Sequence, residues 1–159
     1  MKQLASTLLA FGLILGTLVA ANAQDRREGY NYPPIASEEV FVRQIATPPS
    51  SNRAVRTNFI NEITRAQLAA PANPRIAIFA KGGDAEHMVI IALDDQIFKT
   101  LYRARAQLAQ LTSNARGTDF FKSENLQFTA TWFDLAKLLG FEDIVISDGD
   151  TWSHRIILN

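Results

Sequence analysis

Hydrophobic residues in this chain form short continuous runs and longer helical stripes. Apolar runs at Arg75–Ala80 and His87–Leu93 are bounded by turn residues, a pattern typical of central strands covered on both faces. Residues Glu39–Ile45 are largely β-formers and predict an earlier strand. Near the C-terminus, Asp148–Gly149 lies between two β-forming runs and predicts a hairpin. The pattern therefore predicts about five strands.

Apolar residues recur every three or four positions in three further segments, which predicts three amphipathic helices. The first spans Arg53–Ala70. The second carries its stripe from Ile97 to Leu111, and the acids Asp94 and Asp95 precede it, where acidic residues cap a helix N-terminus. The third spans Thr131–Leu139 and begins with capping-box spacing.

The order of these elements, with two hairpins, predicts an α+β fold. We expect a two-layer sandwich in which a mostly antiparallel sheet of about five strands carries about three helices on one face. Between the second and third helices, Thr112–Phe128 lacks a period and contains Gly117. This segment is predicted to be a long irregular loop, a kind of segment that often carries function.

The N-terminal segment has the pattern of an export signal, with Lys2, an apolar run at Leu8–Ala20 and the small-x-small site Ala21–Ala23. The run is shorter than the roughly 20 residues needed to span a bilayer, so no transmembrane segment is expected after cleavage. Gln24–Ser37 is polar, contains two adjacent prolines and shows no period. The sequence thus predicts a signal peptide at 1–23, a flexible tether at 24–37, a single domain at 38–159 and a periplasmic location.

Composition narrows the possible functions. Removal of residues 1–23 from the 159-residue chain takes away one base, Lys2, and leaves 16 − 1 = 15 bases against 16 acids. A near-neutral domain lacks the basic excess of nucleic-acid-binding proteins, so no nucleic-acid partner is expected. The chain contains no cysteine, which excludes disulfides, thiolate metal sites and cysteine nucleophiles within it.

The densest cluster of potentially chemical residues is the turn Gly82–His87, with sequence GGDAEH, between two predicted strands. Its glycines allow close approach of an anion, and Asp84, Glu86 and His87 have donor atoms suited to a metal. A phosphate-binding P-loop requires a longer glycine frame ending in Lys-Ser/Thr at a helix start, which this turn lacks. The favoured interpretation is a glycine-enabled hairpin turn with solvated acids, without a cofactor or resident metal.

Two other clusters have alternative interpretations. Asp148, Asp150 and Thr151 resemble part of a calcium loop but lack the further ligands of an EF-hand, so a hairpin turn is favoured. His154 shares a strand face with apolar residues, which is typical of a hydrogen-bonded histidine at the border of a core. The functional alternative is that His87 and His154 approach each other across the sheet as ligands or as an acid/base pair.

The mature domain resembles a group of small exported bacterial proteins without an established role. The resemblance lies in the stretches "PRIAIFAKGGDAEHMVIIALDDQIFKTLYRARAQLAQLT", "RGTDFF" and "DLAKLLGFEDIVISDGDTWSHRI". It covers Glu38–Leu158. Some members of the group carry the name molybdopterin-guanine dinucleotide biosynthesis protein A, and the resemblance implies no mechanism.

Two functional hypotheses follow. The favoured one is a non-enzymatic binding or accessory domain in the periplasm, which contacts a protein or small molecule through the Thr112–Phe128 loop, a sheet edge or the tether. The alternative is a small metal-dependent or acid/base hydrolase that uses the Gly82–His87 turn, including Asp84 and Glu86, together with His154.

Overall fold

A computed structural model describes residues 32–44, 48, 50–94 and 96–159. Its strands are β1 (Ser37–Phe41), β2 (Ile76–Lys81), β3 (His87–Ala92), β4 (Asp143–Ser147) and β5 (Ser153–Leu158). The described part of the chain has four helices, which are α1 (Arg53–Ala69), α2 (Leu101–Arg116), α3 (Asp119–Ser123) and α4 (Trp132–Leu138).

The strands form one open, mixed sheet in the order β1-β5-β4-β3-β2. The two predicted hairpins are present as the antiparallel pairs β2/β3 and β4/β5. The pairs β1/β5 and β3/β4 are parallel. The predicted α+β class with about five strands is therefore confirmed. The parallel β1/β5 pair places the first strand at one edge of the sheet, with β2 at the other edge.

One face of the sheet packs against the helices. Alternate strand residues on this face join helix residues such as Ile60, Leu108 and Leu135 in a single buried cluster; the strand members include Ile78, Met88, Ile90, Ile144, Ile146 and Ile156. Burial of a large aliphatic side chain contributes roughly 1.5–3 kcal/mol, so this layer is the main source of stability. Val89 and Val145 are also buried but lie on the opposite face, which carries none of the core residues of the four described helices; we call it the helix-free face.

The second helix begins later than its apolar stripe predicts. Thr100, rather than Asp94 or Asp95, is the N-cap, and its side chain accepts a hydrogen bond from the Arg103 backbone N–H. Asp94 instead closes a local turn by accepting from the Gln96 N–H and forms an ion pair with Arg75. The cap prediction was wrong because this local turn satisfies the Asp94 carboxylate; Asp95 lies outside the described residues.

The Thr112–Phe128 segment is more ordered than the sequence indicates. Helix α2 continues to Arg116, and Gly117 follows as its C-cap rather than breaking a loop. Thr118 then caps the short helix α3, whose Phe121 is buried in the core. The prediction of a long irregular loop is therefore wrong, because buried aromatic contacts and a threonine cap support two helical segments here.

The first strand and the tether also differ from their predicted bounds. β1 is Ser37–Phe41 rather than Glu39–Ile45, and Ile45 lies outside the described residues. Most of the predicted tether and the whole predicted signal peptide also lie outside them. The end of the tether is docked, because the Ser153 hydroxyl donates to the carbonyls of Pro33 and Pro34 at 2.8 and 2.9 Å.

None of the described helices has the length and apolar character needed to cross a membrane.

Candidate functional site

The Gly82–His87 turn is held by its own side chains. Gly82 has a φ of +94°, in the left-handed region that glycine favours. The Glu86 carboxylate folds back over Gly82 and accepts a hydrogen bond from the Asp84 N–H at 2.8 Å. Ala85 also has a positive φ, of 60°, and its N–H donates to the Gly82 carbonyl. The Glu86 carboxylate therefore stabilises the backbone of the turn.

Two arginines of α1 bind the outer side of this turn. The Arg53 guanidinium donates to the Gly83 carbonyl at 2.5 Å. Arg56, which is buried, donates to the Asp84 carbonyl through Nε and Nη2 at 3.1 and 2.8 Å. The turn thus points its backbone carbonyl oxygens toward the guanidinium groups of the two arginines. This arrangement differs from an anion-binding nest, in which successive N–H groups converge on the ligand.

His87 forms an ion pair on the helix-free face of the sheet. Its Nδ1 lies 3.0 Å from Asp143 Oδ2, and its Nε2 lies 3.5 Å from Glu86 Oε1. The hydrogen bond with Asp143 and the charges of nearby acids raise the pKa of His87, against the opposing effect of partial burial. Arg155 Nε lies 3.8 Å from the same Asp143 oxygen. The group is a half-buried charge network.

His154 lies on the other face, beneath the helices. It is 3% exposed, its Nδ1 is 2.8 Å from Ser37 Oγ, and its ring stacks on Trp152 with a centroid separation of 6.1 Å. Its Nε2 is 3.4 Å from Glu39 Oε1. This is the hydrogen-bonded histidine at the core border that its strand position indicates.

The structure does not bring His87 and His154 together. His87 aligns with Asp143 and Asp143 with Ile157, whereas His154 is three residues from Ile157 and so projects from the opposite face. The described residues also contain no group of three or more His, Asp or Glu side chains that could hold a metal ion. The structure therefore does not form a joint hydrolase site from the Gly82–His87 turn and His154, because the two histidines lie on opposite faces of the sheet.

Asp148 organises the β4–β5 turn. Its Oδ1 accepts hydrogen bonds from the backbone N–H groups of Asp150, Thr151 and Trp152, and its Oδ2 accepts from the Thr151 hydroxyl. These hydrogen bonds to the charged form outweigh burial and lower the pKa of Asp148 to about 2. The Asp148 carboxylate is therefore engaged in hydrogen bonds within the hairpin turn, as the hairpin interpretation predicts.

A small cavity lies between α1 and β2, with a volume of about 230 Å³. Helix α1 lines it with Arg53, Thr57, Ile60 and Asn61. The other wall contains Phe79 and Ala80 of β2 and Gly82 and Ala85 of the turn. Ligand pockets usually measure roughly 300–1,000 Å³, and this volume lies below that range. The cavity is therefore too small for a typical organic ligand.

The β2 edge of the sheet is closed. The side chain of Gln67 donates to the Ile76 carbonyl, which points away from the sheet. Ile76 and Ile78, whose backbone groups face this edge, are 5% and 2% exposed. Covering an edge with a helix in this way protects the strand from pairing with another chain.

The outer edge of β1 is open within the described part of the chain, where no strand pairs with it. The Phe41 carbonyl accepts from the Asn159 N–H, and the Arg43 N–H donates to the Asn159 carbonyl, so these alternate residues face the sheet. By the alternation of strand backbone groups, Glu38, Val40 and Val42 direct their N–H and C=O groups outward. We refer to these three residues as the β1 edge. Val40 and Val42 are 53% and 74% exposed.

Neighbouring groups hold the β1 edge in place and balance its charge. Glu38 forms an ion pair with Arg155 at 3.1 Å. Glu39, which faces the helices, forms one with Arg105 of α2 at 2.6 Å. The strand's two carboxylates are therefore paired with bases of the same chain.

The segment after β1 is fixed to α4. Arg43 forms an ion pair with the fully buried Asp134 at 2.6 Å and donates to the Thr129 carbonyl. Lys137 donates to the Arg43 carbonyl at 2.9 Å. Phe128, the residue before Thr129, is a largely exposed aromatic side chain. The open edge is thus preorganised and adjoins the end of the segment Thr112–Phe128.

Sequence reasoning identified the strand but missed its position at the open edge. The signal available was the pair of valines at alternate positions in a strand that also carries acids, a composition typical of edge strands. Comparison of the chain with protein-family models, with curated proteins and with solved structures found no match.

Proposed function

We propose that this chain is an exported, non-catalytic binding domain that takes an extended segment of another polypeptide along the β1 edge. The observation that carries the proposal is the row of outward backbone groups at Glu38, Val40 and Val42, in which both valine side chains are exposed. An extended peptide that adds to such an edge gains main-chain hydrogen bonds, and alternate side chains supply specificity. Export is inferred from the N-terminal sequence pattern.

The contrast between the two sheet edges supports this proposal. Helix α1 and Gln67 cover the β2 edge, whereas the strand at the other end presents exposed apolar residues. Natural sheets usually protect both edges, so an edge left open beside exposed valines marks a surface for pairing. The small cavity and the separated histidines support neither an organic ligand nor a joint acid/base site.

The test uses two substitutions of Val40. Proline removes the outward N–H of Val40 but leaves the hydrogen bonds between β1 and β5, which other residues make. Threonine is the matched control, since it keeps the N–H and the β-branched shape. A phage-displayed library of random peptides is selected against the full chain, and binding is measured by fluorescence anisotropy at nanomolar chain concentration.

We expect selected peptides to bind the wild-type and Val40→Thr chains with similar affinity and the Val40→Pro chain at least tenfold more weakly. Circular dichroism and thermal unfolding verify that the proline variant remains folded. Selection of no peptide, or of peptides that bind Val40→Pro as tightly as the wild-type chain, would contradict the proposal.

A further inference from the structure

We propose that the polypeptide bound at the β1 edge is a second copy of this chain, paired antiparallel about a two-fold axis at Val40. The inference rests on the proposed function, because it uses the same edge and names its occupant. The resulting dimer contains one continuous sheet of ten strands.

The backbone alternation favours this register. The outward residues Glu38, Val40 and Val42 are two positions apart, and an axis at Val40 maps this set onto itself. Val40 then faces Val40 of the second copy, and Glu38 faces Val42 of the second copy. Each outward residue has both of its backbone groups paired, which gives about six inter-strand hydrogen bonds.

Charge also favours an axis at Val40. In this register each Glu39 faces Phe41 of the second copy, and no carboxylate faces another. An axis at Glu39 or at Glu38 would place that carboxylate opposite itself, and like charges directly opposite one another destabilise a sheet. The acids are already paired with Arg155 and Arg105 of their own chain, which reduces the repulsion between the approaching strands.

The apolar surface supports the same arrangement. Val40 and Val42 share the helix-free face of β1, and the two-fold axis brings the exposed valines of both copies into adjacent cross-strand positions. β-branched residues in cross-strand contact stabilise a sheet. Pairing therefore covers part of the apolar surface that the single chain leaves in water.

The closed β2 edge explains why the assembly stops at two copies. A strand that paired head to tail with the opposite edge of another copy would produce an open filament. Gln67 and the burial of Ile76 and Ile78 block that edge. Among the described strands, β1 is then the one with an edge left for pairing, and self-pairing of one edge gives a closed dimer.

Single cysteines test the register, because the wild-type chain has none. Directly opposed residues in a hydrogen-bonded antiparallel pair lie roughly 5.5 Å apart between Cα atoms, within the range that a disulfide spans. Val40→Cys is therefore expected to form a disulfide-linked dimer when diamide oxidises the two thiols, with diamide accepting two electrons and two protons. Glu38→Cys is the control, since its copies are separated by roughly 13 Å along the strands.

A mixture of Glu38→Cys and Val42→Cys chains should give the heterodimer linked between positions 38 and 42. Non-reducing electrophoresis and peptide mass mapping measure these products with the full chain. Efficient self-linking of Glu38→Cys, or failure of Val40→Cys to self-link in a folded chain, would overturn the proposed axis.

Sedimentation velocity provides an independent measurement without oxidation. The wild-type and Val40→Thr chains should be dimers at 100 µM loading, and Val40→Pro should dissociate at least tenfold more readily. A monomeric wild-type chain whose selected peptides still require the Val40 N–H overturns the dimer and leaves the proposed function standing. A monomeric chain without proline-sensitive peptide binding overturns both.

Discussion

At the scale of single residues, most of the candidate site side chains form hydrogen bonds with the protein's own backbone or ion pairs with neighbouring charged side chains. Glu86 accepts from the Asp84 N–H, and Asp148 accepts from three N–H groups of its turn. Carboxylates serve this purpose well because hydrogen bonds to a charged acceptor are stronger than those between neutral groups. His87 differs, since its partner is the Asp143 carboxylate.

We predict that the His87–Asp143 pair stabilises the fold at acidic pH and loses this effect as pH rises. The pKa of His87 is raised in the folded chain, so its contribution is fully present below about 6.5, the unfolded value, and disappears as pH passes through the folded pKa. For a half-buried pair the effect should be about 1 kcal/mol. Urea unfolding of the wild-type and Asp143→Asn chains from pH 5 to 9 measures it.

The His87 ring provides a direct control by NMR. Its pKa should lie above 6.5 in the wild-type chain and fall in Asp143→Asn, because the hydrogen bond to the carboxylate is the largest cause of the shift. A stability difference between the two chains that stays constant across this pH range would show that the ion pair does not carry the effect.

At the scale of elements, the adjacent glycines of the β2–β3 turn have different roles. A Cβ at Gly82 would lie 2.3 Å from the Glu86 carboxylate, and the φ of +94° disfavours any side chain. Gly83 has no atom within 4 Å of the same position. The turn therefore requires glycine at position 82, whereas position 83 has room for a side chain.

We predict that Gly82→Ala destabilises the chain by about 2 kcal/mol or more, from the left-handed backbone and the displaced carboxylate. Gly83→Ala is the matched control and should be neutral or stabilising by up to about 1 kcal/mol, because alanine restricts the unfolded chain. Chemical unfolding at pH 7 measures both. Equal losses in the two variants would contradict the assignment of distinct roles.

The helices and hairpins differ in how well the sequence predicts them. Local signals located α1, α4 and both hairpins, because helix periodicity, a capping box and Asp-Gly are formed by residues close together in the chain. The start of α2 was misplaced, since Asp94 and Thr100 both have capping side chains and only the contact with Arg75 distinguishes them.

The open edge was less predictable for a different reason. β1 pairs in parallel with a strand more than a hundred residues later, with Ser37 aligned to His154. No local pattern specifies such a partner, so the sequence predicted the strand without its place in the sheet. The separation of the two histidines follows from the same long-range register.

At the scale of the whole molecule, one buried cation joins three separate segments. Arg56 of α1 donates to the Asp84 carbonyl in the glycine turn and to the Gly140 carbonyl after α4, at 3.1 Å. It lies 3.5 Å from the Leu139 carbonyl, at the end of α4, where carbonyl groups favour a cation. Gly140 leaves room for the guanidinium, since a Cβ there would lie 2.6 Å from Arg56 Nη1.

We predict that Arg56→Ala costs about 3–5 kcal/mol, because it leaves buried carbonyl groups in two segments without their donor. Arg56→Lys should recover only part of this loss, since an ammonium group cannot reproduce the planar fork that reaches both carbonyls. The exposed pair of Arg65 with Glu62 supplies the control, and Arg65→Ala should change stability by less than about 0.5 kcal/mol. Hydrogen exchange would then show faster opening of the turn near Asp84 and of the residues after α4 together, whereas opening of the turn alone would limit the role of Arg56 to one segment.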